Sequence, residues 1–391
     1  MSLNRSKLTN VKKIGVLRAN ALGDFIVTLP ALNALRATYP EAEIILLGKP
    51  WHKEFLSTGR TPVDRVIVVP VKKGIRNENE KAEDEQEISA FIEQMQREEF
   101  DVAFNFQGNG ISANPFIKQF GAKLTAGLTC DKAEKLDRSI DHYYYQSEAI
   151  RYLEAAKLIG ATIADWEPQL NVTAQDRQEV TSFMSMLGSK PYIVLHPVAM
   201  DTRRMWPLEN YAQLGDYLTG KGFEVVFTGS PEDKPTIDDI IYDMNYKGIN
   251  AAGNFSLGGL AAVLSNATLM ISADTGPLHL ARAVNTPTIG FYWAPNLINW
   301  GPLTRSIHRP MVSWKMECPV CGIVPNDPYP FEPKTTTCDH PVSFVRDIST
   351  DQVLKTIEDL LPQISAKTDR TQTKQEDTFE ENSKSISSAP R

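Results

Sequence analysis

The run SADTGPLHLARAV, residues 272 to 284, holds residue types that could do chemistry at a helix start. Asp274 or Thr275 can cap the helix, Pro277 suits its first turn, and Gly276 lets a ligand approach backbone N–H groups. Such a start is a ready anion site, because unsatisfied N–H groups and the helix dipole both favour negative charge. Taken alone the fragment is a well-capped helix with His279 resting on its first turn. Its company turns the reading toward a ligand: the strand-end loops LHPVAMDTRRMWP and FTGSPEDK belong to the same half of the chain. In an open parallel sheet, ligands bind outside the carboxyl ends of the strands. Arg203 and Arg204 in the first loop are either solvated charges or the planar cations that a diphosphate leaving group needs.

Absent motifs prune the chemistry. The turn RANALGDF has one Gly where a dinucleotide fingerprint needs three, and no GxxxxGK[ST] occurs, which argues against NAD or FAD at that turn and against a P-loop nucleotidase. Asp274-Thr275-Gly276 also fits an aspartic-protease tripeptide, but that reaction needs two neighbouring carboxylates in β structure, and this single copy runs into a helix. Cys318, Cys321, Cys338 and His340 are spaced C-x2-C-x16-C-x-H. That spacing fits a closed tetrahedral zinc site, although Cys338 and His340 are close together for a finger; buried reduced thiols are the favoured reading. No catalytic metal is expected.

These residues need a frame, and the hydrophobic periodicity supplies it. IGVLRA, EIILLG, VDRVIVVP and DVAFNF alternate with helical runs through LNALRATY and FIEQMQREE. PYIVLHP, FEVVFTG, LMISAD and TPTIGFY alternate with NYAQLGDYL, LGGLAAVLSNA and LHLARAV. Short β-branched strands alternating with helices predict βαβ units and a parallel sheet in each half. Helices near 146–160 and up to 187 fall between them, so the expected domains are 1–187 and 188–365, with a cleft between. Residues 366–391 are too polar to repay their ordering entropy and are expected to be a disordered tail.

The chain has 391 residues, 42% hydrophobic, enough for two cores, and 41 Lys and Arg against 48 Asp and Glu give a net charge of -7. A uniformly basic nucleic-acid binder is therefore not expected. Residues 1–71 nevertheless hold ten basic and five acidic side chains. Arg18, Arg60, Lys12 and Lys13 could attract phosphates or a membrane surface, with a solvated face preferred for the two lysines. Tyr143, Tyr144 and Tyr145 could stack on a sugar or pack between domains. Four Cys make no disulfide scaffold, MSLNRSKLTNVKK lacks a secretory apolar core, and no apolar run nears the roughly 20 residues of a membrane span. The expectation is a cytoplasmic protein whose contact with a membrane, if any, is peripheral.

The pieces VLRANALGDFIVTLPALNALRATYPEAEIILL, IVLHPVAMDTRRMWPLENYAQLGDYL, VVFTGSPED and ISADTGPLHLARAVNTPTIGFY, followed by WGP, resemble glycosyltransferase family 9, the lipopolysaccharide heptosyltransferases. The match runs through both halves in order. It implies an α/β chain of the GT-B fold, two Rossmann-like domains facing a cleft, the first for the acceptor and the second for the donor. It implies inverting transfer of a sugar, typically a heptose from ADP-heptose, to an anionic lipopolysaccharide acceptor, with no cofactor or catalytic metal. The family's general base falls on Asp24, after Gly23, where a helix N-terminus favours a carboxylate; a plain helix cap is the alternative. The donor residues fall on His196, Arg204, Asp233, Asp274, Thr275, Gly276 and His279. For the acceptor, Arg18, Gly23 and Gln107 are expected to contribute, Gln107 being equally a turn-stabilising amide.

Two features depart from the family pattern. Arg204 stands where members carry a Lys two residues before the Trp, in a loop one residue longer, which replaces a point ammonium by a planar fork and leaves the donor open. The cysteine-bearing segment MECPVCGIVPNDPYPFEPKTTTCDHP has no assigned role. Alternative functions are a GT-B-like sugar-nucleotide epimerase, which would need more acids and a His at the anomeric carbon, and a non-catalytic binder of nucleotide-sugar or glycolipid.

Overall fold

The computed structural model describes residues 6–56, 59–78, 81–324, 338 and 340–364; the expected tail, 366–391, lies outside them. The first half builds β1 (Lys13–Leu17), β2 (Glu43–Gly48), β3 (Arg65–Val68), β4 (Val102–Asn105), β5 (Thr125–Thr129) and β6 (Arg138–Asp141). The second builds β7 (Tyr192–His196), β8 (Glu224–Phe227), β9 (Ile249–Asn250), β10 (Leu269–Ala273), β11 (Thr288–Trp293) and β12 (His308–Ser313). Each set forms one parallel sheet, ordered β3-β2-β1-β4-β5-β6 and β12-β11-β10-β7-β8-β9. Central strands such as IILL in β2 are apolar throughout because helices cover both faces.

The chain order reverses direction in each sheet, between β1 and β4 in the first and between β7 and β10 in the second. There the loops leaving adjacent strands part in opposite directions and open a crevice. Asp24 lies on the short helix Leu22–Ile26 that follows β1, His196 ends β7, and Asp274 follows β10. The anticipated strands and helices form within a few residues of their predicted places. Four strands were not foreseen, namely β5, β6, β9 and β12. TAGLT and RSID are short and partly polar, β9 has two residues, and β12 contains Pro310 on an edge, where a missing N–H costs no ladder bond.

The expected boundary after residue 187 separates helices from their packing partners. Helices Ala174–Glu179 and Thr181–Leu187 lie on the second half: Phe183 meets Phe255 at 4.9 Å, and the Glu179 carboxylate accepts from the N–H and hydroxyl of Ser256 at 2.7 and 2.6 Å. One tie runs back to the first half. Arg60 donates to both carboxylate oxygens of Asp176 at 2.6 and 2.7 Å, with both side chains buried. Arg60 is thus spent on an internal ion pair and is not the phosphate attractor its sequence position suggested. The closing helix, 350–364, buries Val353, Ile357 and Leu360 in the second core, at the i, i+4, i+7 spacing of one helical face.

Candidate active site

A cavity of about 800 Å³ lies where the two reversal points meet. Ala21, Leu22, Gly23 and Asp24 line it from the first half; His196, Asp201, Arg203, Arg204, Thr228, Asp233, Asp274, Thr275, Gly276 and His279 line it from the second. Closure between the halves depends on missing side chains. A Cβ on Gly23 would stand 2.8 Å from His279 Cδ2, and one on Gly276 would stand 3.1 Å from Leu22 Cβ. Helix Leu22–Ile26 can therefore rest directly on helix Gly276–Ala283.

On the first side, the Asp24 carboxylate is held from below. Its Oδ1 accepts from Arg18 Nη2 at 3.1 Å and its Oδ2 from the Ala21 N–H at 3.2 Å, so the side chain does cap its helix while partly exposed to the cavity. Arg18 is buried; its other nitrogens donate to the carbonyls of Asp24 and Phe106, and its guanidinium lies 5.0 Å from the Tyr152 ring centre. Gln107 is equally committed: Oε1 accepts from the Ala19 N–H at 2.9 Å, and Nε2 donates to the Ile75 carbonyl at 3.0 Å and to Asn20. Neither side chain is in the cavity wall. Arg18 and Gln107 both brace the segment that carries Asp24.

The donor-side residues converge differently. Of the two residues that could cap the helix, Asp274 turns its buried carboxylate away, with Oδ1 3.1 Å from His279 Nε2 and Oδ2 accepting from Asn296 Nδ2 at 2.9 Å. Thr275 occupies the N-cap position without a side-chain capping bond, its hydroxyl pairing instead with Ser272. The helix thus begins at the cavity wall with no side chain on its first N–H groups. Arg282 Nη1 approaches His279 Nδ1 at 3.1 Å. A guanidinium can only donate, so Nδ1 accepts and the Nε2–H donates to Asp274. Arg282 itself is anchored by Glu167 at 2.7 Å and by the Trp300 carbonyl at 2.8 Å.

Arg204 Nη1 donates to the Asp274 carbonyl at 3.2 Å, while its Nε is buried with no hydrogen-bond acceptor. Arg203 is tied to Asp201 through two bonds of 2.8 Å. The carboxylate of Asp233 accepts from the Ser230 N–H at 2.7 Å at the turn after β8. His196 Nδ1 meets Thr228 Oγ1 at 3.0 Å, and burial pushes the imidazole down to about 4, so it faces the cavity uncharged at neutral pH. Tyr143 and Tyr145 are exposed outside the cavity wall, and the Tyr144 carbonyl accepts from Asn299 at 3.1 Å.

Sequence reasoning missed Thr228, Asn296, Arg282 and Glu167. The i, i+3 spacing of His279 and Arg282 was a readable signal. Glu167 comes from a segment over a hundred residues away and carried none.

The model of glycosyltransferase family 9 (heptosyltransferase) matches residues 88–319, more than half the chain. The chain belongs to glycosyltransferase family 9. This family 9 enzyme is 22% identical over 298 residues to the lipopolysaccharide core heptosyltransferase OpsX of Haemophilus influenzae, covering 74% of this chain and 82% of that one. It is 25% identical over 301 residues to lipopolysaccharide heptosyltransferase 2 of Escherichia coli, covering 72% and 82%. Among solved structures, it superposes on the family 9 glycosyltransferase of Veillonella parvula with a TM-score of 0.68 at 22% identity, covering 90% of this chain and 97% of that one. It superposes on E. coli ADP-heptose lps heptosyltransferase II with a TM-score of 0.68 at 19% identity, covering 90% and 99%. The fold is therefore GT-B, and this family 9 protein is a glycosyltransferase, which sets aside the epimerase and the non-catalytic binder.

Proposed function

We propose that this enzyme transfers a heptose from ADP-heptose, with inversion, to a hydroxyl of an anionic glycolipid acceptor of the lipopolysaccharide core type. The observation that carries the reading is Asp24 standing in one cavity with an uncapped helix start. The Asp24 carboxylate takes the proton of the acceptor hydroxyl as its oxygen attacks the anomeric carbon. The bond from that carbon to the diphosphate oxygen breaks, and its electron pair leaves with ADP. Gly276 and Thr275 offer backbone N–H groups to the diphosphate, and Arg204 offers its unpaired Nε. Asp233 is assigned to the nucleoside ribose and His196 to a phosphate, while Gly23 admits the acceptor beside Asp24.

In this reading no divalent ion bridges the phosphates, so added magnesium should leave turnover unchanged. Among the described residues no helix is long and apolar enough to cross a membrane. A peripheral position on the cytoplasmic face of the inner membrane is proposed, the exposed Lys12 and Lys53 of the basic first segment supporting it. The two ligands are a nucleotide-sugar and a glycolipid, with no nucleic acid. The deciding experiment incubates purified protein and Asp24→Ala with ADP-, GDP- and UDP-sugars and a lipopolysaccharide-core acceptor, and follows acceptor mass. A heptose increment from ADP-heptose that the variant lacks supports the proposal; transfer only from another donor, or equal transfer by the variant, defeats it.

A further inference from the structure

Buried reduced thiols were the favoured reading of Cys318, Cys321 and Cys338. The structure brings their ligand atoms and that of His340 within 4.8 Å of one another, although the middle pair of the four are 17 positions apart in the chain. The gaps have a particular size. Cys321 Sγ is 3.7 Å from Cys338 Sγ, and His340 Nδ1 is 3.6 Å from Cys338 Sγ and 3.8 Å from Cys318 Sγ. With Zn–S near 2.3 Å and Zn–N near 2.0–2.1 Å, the edges of a tetrahedron are about 3.8 Å between sulfurs and about 3.6 Å between sulfur and nitrogen. Three of the six separations match those edges, and the other three lie within 4.8 Å, close enough for a tetrahedral ion to draw all four atoms together.

The local backbone is shaped to the same end. The Val320 N–H points to Cys318 Sγ at 3.4 Å, the Gly322 N–H returns to the Cys318 carbonyl at 2.8 Å, and the Cys318 N–H donates to Ile323 at 2.8 Å. Gly322 has a φ of +72°, the left-handed conformation that lets the chain fold back just after Cys321. Amide donation to a sulfur supports a thiolate, as partners around metal ligands commonly do. Cys318 and Cys338 are buried against the second core, whereas Cys321 is exposed and His340 half-buried; four protein ligands would themselves fill a tetrahedral ion and leave no position for a substrate.

We propose that Cys318, Cys321, Cys338 and His340 bind one structural thiophilic divalent cation, Zn²⁺ by its tetrahedral preference, and that this ion sets the wall of the donor cavity. Three thiolates and an imidazole suit zinc and leave no open coordination position for catalysis. The second part follows from what the ligand-bearing strap touches. The Cys338 carbonyl accepts from Arg203 Nη1 at 3.3 Å, the Phe344 N–H donates to the Arg203 carbonyl at 2.8 Å, and Ser343 Oγ donates to the Met205 carbonyl at 2.5 Å. Phe344 stacks on Trp293 at 4.8 Å, and both rings line the cavity. The ion pins one end of a strap whose other end holds the loop carrying Arg203 and Arg204. The metal assignment stands apart from the proposed donor; only the kinetic readout below rests on it.

The test begins with the full-length protein purified without added metal, analysed by plasma mass spectrometry and by intact mass under denaturing, non-reducing conditions. One equivalent of zinc and four reduced cysteines are expected. One equivalent of iron would keep the ligand set but overturn the zinc assignment; no bound metal, or a mass two hydrogens lighter from a disulfide, would overturn the site. Cobalt exchanged into the protein should show the intense visible bands of tetrahedral thiolate ligation, and their absence counts against it. Cys130→Ser, outside the cluster, should keep the full equivalent, whereas Cys321→Ser and His340→Ala should lose it and melt about 5 °C or more lower. For the donor wall, whichever of those two variants stays folded should raise the donor KM several-fold while kcat changes little. An unchanged KM would overturn the link to the cavity and leave the metal site standing.

Discussion

The two reversal points of this enzyme use polar residues in opposite ways. Around Asp24, Arg18, Gln107 and Asn20 are satisfied by one another and by backbone, and everything converges on one carboxylate. Around Gly276 the carboxylate and imidazole are likewise locked, but the helix start is uncapped and Arg204 Nε is buried without an acceptor. A site that must place one proton acceptor benefits from rigidity. A site that must receive a diphosphate benefits from donors left unpaired, since a buried donor lacking its acceptor is costly until a ligand supplies one.

The sharpest way to break that contrast is Asp24→Asn. It keeps the shape and the bond from Arg18 but removes the proton acceptor, so kcat should fall by about two orders of magnitude or more while ADP affinity by calorimetry stays within error. Normal turnover would reduce Asp24 to a cap. On the other side, Arg204→Ala should weaken ADP binding about 30-fold, as expected for a charge-assisted contact, and act through donor binding more than through kcat. If both variants weaken ADP equally, the division between the two sides is wrong.

The acid limb of stability sharpens the contrast further. His196 titrates near 6.5 when unfolded and at about 4 when buried in the native enzyme. Between those values the unfolded chain binds a proton that the native state refuses, so stability is present above about pH 6.5 and is lost as pH falls toward 4. At pH 5 this group alone costs about 2 kcal/mol. His196→Gln should flatten that part of a melting-temperature profile; an unchanged slope would mean that the native imidazole stays protonated. The smallest effect is expected from Gly23→Ala, whose methyl would press on a His279 that its two partners hold still. About a fivefold drop in kcat/KM with little change in melting temperature should follow, because the clash falls at the contact between the halves and outside either hydrophobic core, so alignment suffers more than packing. No change would show that the halves are free to part.

The strand and helix pattern, and the strand-end placement of Asp24, His196 and Asp274, were legible in the sequence because periodicities of two and 3.6 residues are local consequences of backbone geometry. So was the spacing of Cys318, Cys321, Cys338 and His340. What each polar residue is used for was not. Arg18, Arg60 and Gln107 look alike to a reader of residue types, yet burial commits each to a partner 6 to 116 positions away. Whether Asp274 caps its own helix or turns to Asn296 depends on where Trp293 and the following helix are packed, and whether four metal-ligating side chains meet depends on the strap that crosses the loop at Arg203. Sequence determines the elements because their signals lie within a few residues. Only the tertiary structure decides the partners, because hydrogen bonds and ion pairs are set by distances between chain segments that no local pattern encodes.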